Sequence, residues 1–251
     1  MKVALLLPGH YRLFEKIYDS LKKHFLDLYD VDIFIWTWDD YGYWTPNDEH
    51  PGGVFPTEKI NSDFIINVVK PKLYRIENLK EHTPKINEHM KFIKEKRYHF
   101  NRPFNQTSMM YSLNNCDLLR RQYENENNFK YDIIVRGRFD LELTSPLQLS
   151  SNFTICTDMW GLPREEGYSD AFFFGNNEHM TKILDILLHL EEIGSKIPFD
   201  SHSAFRYWVD KHIGAFQYRD FGFKIWNTPG GLHKVDSLIL PNLDSISSEK
   251  S

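Results

Sequence analysis

Residues 131–143 have the sequence YDIIVRGRFDLEL, in which an apolar run leads into four charged residues at alternate positions. Side chains of a β-strand alternate between its two faces, so Arg136, Arg138, Asp140 and Glu142 are predicted to share one face. The start of the segment is apolar on both faces, which predicts a central strand of a sheet. Ligands of open α/β sheets bind beyond the carboxyl ends of the strands, so these four residues are predicted to face a ligand.

The residue types in this segment suit a phosphorylated ligand. An arginine side chain can bind two phosphate oxygens at once and stays protonated. Two carboxylates two positions apart in the sequence can hold a divalent cation. We therefore predict a site for a diphosphate, with Arg136 and Arg138 on the phosphates and Asp140 and Glu142 as metal ligands. The alternative is an internal network of ion pairs that closes the edge of the sheet, although such a network is costly to bury.

The rest of the chain alternates between strand and helix patterns, which predicts an α/β protein with a mainly parallel sheet flanked by helices. Apolar runs predict further buried strands at residues 3–7, 31–36, 73–76 and 170–175, and a last strand pair within 215–226. Helical spacing of apolar residues predicts helices near 14–28, 58–69, 107–123, 177–193 and 200–213, and part of 80–100. The length of 251 residues favours one domain over 1–244 with a polar tail at 245–251.

Composition excludes several classes of protein. The net charge is −5 and no basic face stands out, so nucleic acid is not an expected partner. The apolar run at residues 3–7 is too short to span a membrane, and two cysteines without metal spacing favour small core residues in a reducing, cytoplasmic compartment. Motifs typical of dinucleotide-binding proteins, P-loop proteins, serine hydrolases and zinc proteases are missing from the sequence.

Two further groups of residues follow predicted strands. Gly9, His10 and Arg12 follow the first strand and are predicted to contact a nucleotide, the alternative being a simple turn with a surface arginine. Trp38 and Asp39 end the second strand. A tryptophan ring can stack on a base or sugar, and a carboxylate can bind a base or a ribose hydroxyl, but Trp38 is equally suited to the core.

Four segments together resemble GT-A fold glycosyltransferases, especially a group of bacterial and viral sugar transferases. The segment at 131–143 is similar to their acidic motif in the form Arg-x-Arg-x-Asp-x-acid, with Glu142 where a second aspartate is usual. The other three are PGHYR at 8–12, DIFIWTWD at 32–39 and DAFFFGNNEHM at 170–180, in the expected order. The resemblance implies a Rossmann-like GT-A fold, a nucleotide-sugar donor, Mn²⁺ or Mg²⁺, and a glycan or lipid-linked glycan acceptor in polysaccharide biosynthesis, in the cytoplasm or at a membrane surface.

The resemblance also gives roles to residues later in the chain. An inverting transfer needs a carboxylate that deprotonates the acceptor hydroxyl, and Asp170 is the candidate base, with Glu165 and Glu166 in reserve. Asp170 could instead hold a turn or bind an acceptor hydroxyl. His233 is a candidate metal ligand because several GT-A enzymes bring a late histidine to the metal; a surface loop position is the alternative.

Two other functions stay open on the sequence alone. One is a non-catalytic carbohydrate-binding domain of the same fold, which would keep the aromatic loop at 38–57 without needing the charged set. The other is a different nucleotide-dependent transferase, such as a nucleotidyltransferase, which would share the phosphate site. Four charged groups on one strand favour the glycosyltransferase.

Overall fold

The computed structural model of the protein describes residues 1–42, 59–93, 103–149, 155–157, 167–214, 217–218, 222–228 and 231–233. Most of the predicted aromatic loop, Glu165, Glu166 and the tail at 245–251 lie outside these residues. Only the backbone is described for 155–157, 217–218, 226–228 and 231–233, so the side chain of His233 lies outside the description as well.

The described chain alternates between strands and helices. The strands are β1 (Lys2–Gly9), β2 (Asp30–Trp38), β3 (Leu73–Glu77), β4 (Ile133–Arg136), β5 (Leu141–Leu143), β6 (Ile155–Thr157), β7 (Phe173–Asn176), β8 (Gln217–Tyr218), β9 (Phe223–Thr228) and β10 (Gly231–His233). The α-helices are α1 (Phe14–Leu21), α2 (Leu79–Met90), α3 (Pro103–Asn127), α4 (Asn177–Leu184), α5 (Leu190–Lys196) and α6 (Ser201–His212). Shorter helical turns are the π-helical segments Lys22–Leu26 and Phe64–Val69 and the 3₁₀ turn Ile186–His189.

Seven strands form the main sheet in the order β3-β2-β1-β4-β7-β6-β8. The first four are mutually parallel, β7 runs antiparallel to both β4 and β6, and β8 is parallel to β6. In the register of the central pair, Val3 lies beside Ile133 and Leu6 beside Arg136. The prediction of an α/β fold with a mainly parallel, helix-flanked sheet is confirmed, and the arrangement is compatible with a Rossmann-like fold.

Each face of the sheet packs on its own hydrophobic core. From β1, Ala4 and Leu6 join the core formed with α3 and α4, while Val3, Leu5 and Leu7 join the core formed with α1. Burial on both faces explains why these strands appear in the sequence as continuous apolar runs rather than alternating ones. Among the described residues, no helix is long and apolar enough to cross a membrane.

The prediction of one strand over residues 131–143 is wrong beyond Arg136. β4 ends there, the chain turns, and β5 joins β9 and β10 in a separate three-stranded sheet. Phe139 is buried in the core on the α1 side, with its ring centroid 5.0 Å from that of Phe14 and 5.7 Å from that of Tyr11. After the turn, β5 pairs with β9 instead of continuing the main sheet, so Arg138 and Asp140 approach Arg136 through a turn rather than through strand alternation.

Two smaller predictions also need correction. The strand predicted at 170–175 begins at Phe173, so Asp170 precedes it. The two strands predicted within 215–226 exist as β8 and β9, but they belong to different sheets and do not pair.

Candidate functional site

The strand order creates a crevice at the carboxyl ends of β2, β1 and β4. In the sheet, β2 lies on one side of β1 and β4 lies on the other. The segments that connect to these two strands therefore diverge, and a gap opens between them at the carboxyl ends of the strands. A cavity of about 340 Å³ lies there. Its walls come from the ends of β1, β2 and β4 and the first turns of α3.

Asp140 is the centre of a charged cluster at the β4 end of this cavity. Its side chain is 0% exposed, and Arg138 donates to both of its oxygens, from Nε to Oδ1 at 2.7 Å and from Nη2 to Oδ2 at 2.8 Å. Nη1 of Arg12 also donates to Oδ2. Burial by itself would raise the pKa of Asp140, but the charges and hydrogen bonds of the two arginines outweigh it and hold that pKa well below its usual range.

Arg12 reaches Asp140 from a strained backbone position. Its φ is 50°, in the left-handed region that non-glycine residues avoid, and its amide donates to the carbonyl of Tyr41 at 2.8 Å. A left-handed conformation costs a non-glycine residue roughly 1–2 kcal/mol, and such strain clusters at functional sites. The loop after β1 is therefore shaped to bring this guanidinium to the cluster.

Arg136 is the most enclosed of the arginines, with 2% of the residue exposed. Its Nη1 donates to the carbonyl of Ala171, whereas its buried Nε has no hydrogen-bond partner among the described residues. Burial lowers the pKa of Arg136 to about 9; Asp170 opposes this shift and Arg138 adds to it. A buried donor without a partner is unfavourable, which marks the surroundings of Arg136 as a costly arrangement.

Asp170 lies at the edge of the same cluster. Because β7 runs antiparallel to β4, the residues that lead into β7 meet the end of β4. Burial opposes ionisation of Asp170, but the charges of His202 and Arg136 and a hydrogen bond from Ser201 lower its pKa. Asp170 thus interacts with the cluster, although it is not among the residues that line the cavity.

The described charges of the cluster do not cancel. Arg12, Arg136 and Arg138 interact with one another and with two carboxylates, Asp140 and Asp170. Three guanidinium groups against two carboxylates leave one positive charge in excess, in a protein whose net charge is −5. This end of the cavity is therefore suited to an anion.

The opposite end of the cavity, beside β2, is apolar with several polar groups. Trp38 is 1% exposed and stacks on Tyr111 with an interplanar angle of 8°. Nδ1 of His10 lies 3.0 Å from Oδ1 of Asp40, and both residues line the cavity together with Trp38. Leu79 and the α3 residues Phe104 and Met109 add apolar surface, and Asn105, Ser108 and Ser112 add polar groups, so the lining is suited to a ring with polar edges.

The predicted site residues therefore fall into two groups. Gly9, His10, Arg12, Trp38, Arg136, Arg138 and Asp140 all line the cavity. Asp39 does not: its carboxylate accepts from Nδ2 of Asn78 at 3.1 Å and from Lys59, and it supports the end of β2. Glu142 lies in β5, opposite Lys224 of β9, and is likewise not among the lining residues.

Sequence analysis missed several lining residues. Asp40 was overlooked in favour of Asp39, although strand alternation places residue 40 on the same face as Trp38. The contribution of α3 was missed too: Ser108 and Ser112 are four positions apart on a helix and both line the cavity. Small polar residues at helical spacing within an otherwise apolar stripe were the pattern that could have identified this wall.

The His10 ring fills the space that a side chain at Gly42 would need, so replacement of Gly42 by alanine is expected to destabilise the protein. A Cβ at Gly42 would lie 2.0 Å from the His10 ring, and φ there is 59°. The matched control is Gly214→Ala, since Gly214 has φ of 95° but nothing within 4 Å of an added Cβ. Both variants carry backbone strain, so the difference in their free energy of unfolding in urea isolates the clash, about 1–3 kcal/mol. Equal destabilisation of the two variants would show that the clash with the His10 ring has no measurable cost.

Comparison with known proteins adds no relative: no protein-family model matches the chain, and a search of curated proteins finds no match.

Proposed function

We propose that this protein is a GT-A type glycosyltransferase that moves a sugar from a nucleotide-sugar donor to a hydroxyl group of a glycan or lipid-linked glycan. The observation that carries the proposal is the buried arginine cluster at the carboxyl end of β4, which holds an excess positive charge beside the cavity. A diphosphate supplies the negative charge that this cluster lacks.

The layout of the cavity supports a nucleotide rather than phosphate alone. The apolar end lies at β2, the cationic end at β4, and β1 lies between them. Neighbouring strands are about 4.8 Å apart, so the two ends are separated by roughly 10 Å. A nucleoside diphosphate can extend over this distance, with its base at the β2 end of the cavity, its ribose near His10 and Asp40, and its phosphates beside Arg136 and Arg138.

In this proposal Asp170 remains the candidate general base. Its pKa is lowered partly by the charges of Arg136 and Arg138, which makes it a weak proton acceptor in the unliganded protein. A bound diphosphate would neutralise part of that charge and raise the pKa of Asp170 towards the range useful for catalysis. The base would thus become effective only once the donor is in place.

The test is a thermal-shift panel of nucleotide sugars that differ in base and sugar, each with and without Mn²⁺. A donor present at 100 times its Kd stabilises the folded state by about 2.7 kcal/mol, which for a chain of this size raises Tm by roughly 5–10 °C. Free nucleosides and free sugars serve as controls, because neither carries the diphosphate. If no nucleotide sugar shifts Tm in either condition, the proposed function is wrong; binding without transfer to any glycan acceptor would favour the non-catalytic carbohydrate-binding alternative.

A further inference from the structure

The acidic motif that implies a metal is already engaged by arginines. Asp140 is 0% exposed and its two oxygens accept three hydrogen bonds, two from Arg138 and one from Arg12. A carboxylate that binds Mn²⁺ or Mg²⁺ must direct an oxygen lone pair at the ion. Asp140 could do so only by giving up charge-assisted hydrogen bonds, which are among the strongest in proteins.

The second predicted ligand does not complete a metal site. Glu142 lies beyond the turn, in the three-stranded sheet, with Lys224 opposite it across the strand pair. Within the part of the chain that the structure describes, no three histidine, cysteine, aspartate or glutamate side chains come together as a metal site. The residues present at this end of the cavity therefore do not fit the metal that the acidic motif implies.

The charge balance points the same way. The cluster already carries one positive charge in excess from Arg12, Arg136 and Arg138 over Asp140 and Asp170. A divalent cation would add two more positive charges beside the guanidinium groups, where repulsion is screened poorly because the groups are buried. The same excess attracts a diphosphate.

We propose that Arg12, Arg136 and Arg138 take the place of the divalent cation, so that the protein binds the diphosphate of its ligand without metal. This inference rests on the proposed function as far as the nucleotide is concerned. Binding of the diphosphate group by the arginines does not depend on it. Arg138 is held by Asp140 and Arg136 by the Ala171 carbonyl, so the clamp is assembled before the ligand arrives. A preorganised clamp loses little side-chain entropy on binding.

The experiment measures binding of UDP, GDP, ADP, CDP and inorganic pyrophosphate by isothermal titration calorimetry, first in EDTA and then in excess Mn²⁺ or Mg²⁺. We expect at least one diphosphate to bind in EDTA, with an affinity that changes less than threefold when metal is added. A tenfold or greater gain in affinity with either metal, or binding only with metal, would overturn the inference while leaving the proposed function intact.

Pyrophosphate separates the clamp from the nucleotide site. If pyrophosphate binds in EDTA and no nucleotide does, the arginine clamp stands and the proposed function fails. If none of the five ligands binds under any condition, both are wrong. Electron paramagnetic resonance of free Mn²⁺ gives a second readout. If the protein has no metal site, adding protein to a Mn²⁺ solution leaves the signal of the free ion unchanged.

The variants Asp140→Asn and Arg136→Met distinguish an arginine clamp from a metal site. Asparagine removes the charge of Asp140 but keeps an oxygen that can accept from Arg138, so the positive excess grows while Arg138 stays held. Metal-free binding of the diphosphate should therefore tighten about two- to tenfold if the arginines form the clamp. If Asp140 were a metal ligand, the same variant would lose metal-dependent binding instead. Arg136→Met should weaken metal-free binding at least tenfold, and Arg75→Ala, on the exposed side of β3, is the control arginine. Should either cluster variant fail to fold, the comparison of EDTA with metal on the unaltered protein still decides.

Discussion

Replacing Asp170 by asparagine is expected to slow sugar transfer by about 10²–10⁴-fold while the donor still binds, because the amide cannot accept the proton of the acceptor hydroxyl. The variant keeps the shape of the side chain and can still accept the hydrogen bond from Ser201. The measurement is a comparison of kcat with the calorimetric Kd for the donor. A fall in kcat without any loss of donor affinity identifies a general base.

Asp170 could instead only order the arginines, and the same experiment detects this. Removing its charge would then weaken donor binding as strongly as it slows transfer, since Arg136 and Arg138 both interact with Asp170. The matched control is Asp185→Asn, an aspartate paired with Arg121 at 2.7 Å and not among the cavity residues. Transfer by Asp170→Asn at the parent rate would rule out both roles and move the search to Glu165 and Glu166.

Replacing Arg138 by alanine is expected to weaken nucleotide-sugar binding by roughly 10–150-fold, the equivalent of one charge-assisted hydrogen bond of about 1.5–3 kcal/mol. Its side chain is 16% exposed and lines the cavity with Asp140 as its described partner, so it is placed to reach a phosphate as well. Affinity is measured by calorimetry on protein whose folding has been verified by circular dichroism.

Folding must be verified because the same change leaves Asp140 with fewer partners. Breaking a buried ion pair by removing one member can cost about 3–5 kcal/mol of stability. Arg138→Lys keeps a positive charge beside Asp140 but loses the two-pronged geometry, so it should retain more stability while still binding the donor less tightly. A folded Arg138→Ala protein with parental donor affinity would contradict the placement of the diphosphate.

The fold was largely predictable because its central strands are buried on both faces. β1 and β2 are continuous apolar runs between polar segments, and their order with the intervening helix already predicts a parallel pair. The helices were predictable for a similar reason: α3 buries Met110, Leu113 and Cys116 at helical spacing. The short strands were not, since a three-residue strand such as β6 has no periodicity of its own.

Strand alternation correctly predicted that Arg136, Arg138 and Asp140 lie together, but for the wrong structural reason. The pattern RGRFDLE fits an extended strand, but it also fits a turn, and either one places Phe139 on the same side of the sheet as Val135. Only tertiary structure decides between these, because β5 pairs with β9, a strand that lies far along the chain. The same turn separates Glu142 from Asp140, which the sequence spacing had suggested as a pair.

The chain positions of the cavity residues have a consequence for how the protein is made. Every described residue that lines the cavity lies between Pro8 and Asp140, whereas β7, which covers the free side of β4, begins only at Phe173. During synthesis the walls of the cavity can therefore come together before this strand has left the ribosome, and the Ala171 carbonyl that holds Arg136 arrives with the strand. In that interval β4, a central strand of the finished sheet, is an open edge that could pair with other chains. Early occupation of the pocket by its ligand would hold the nascent half together through that vulnerable stage.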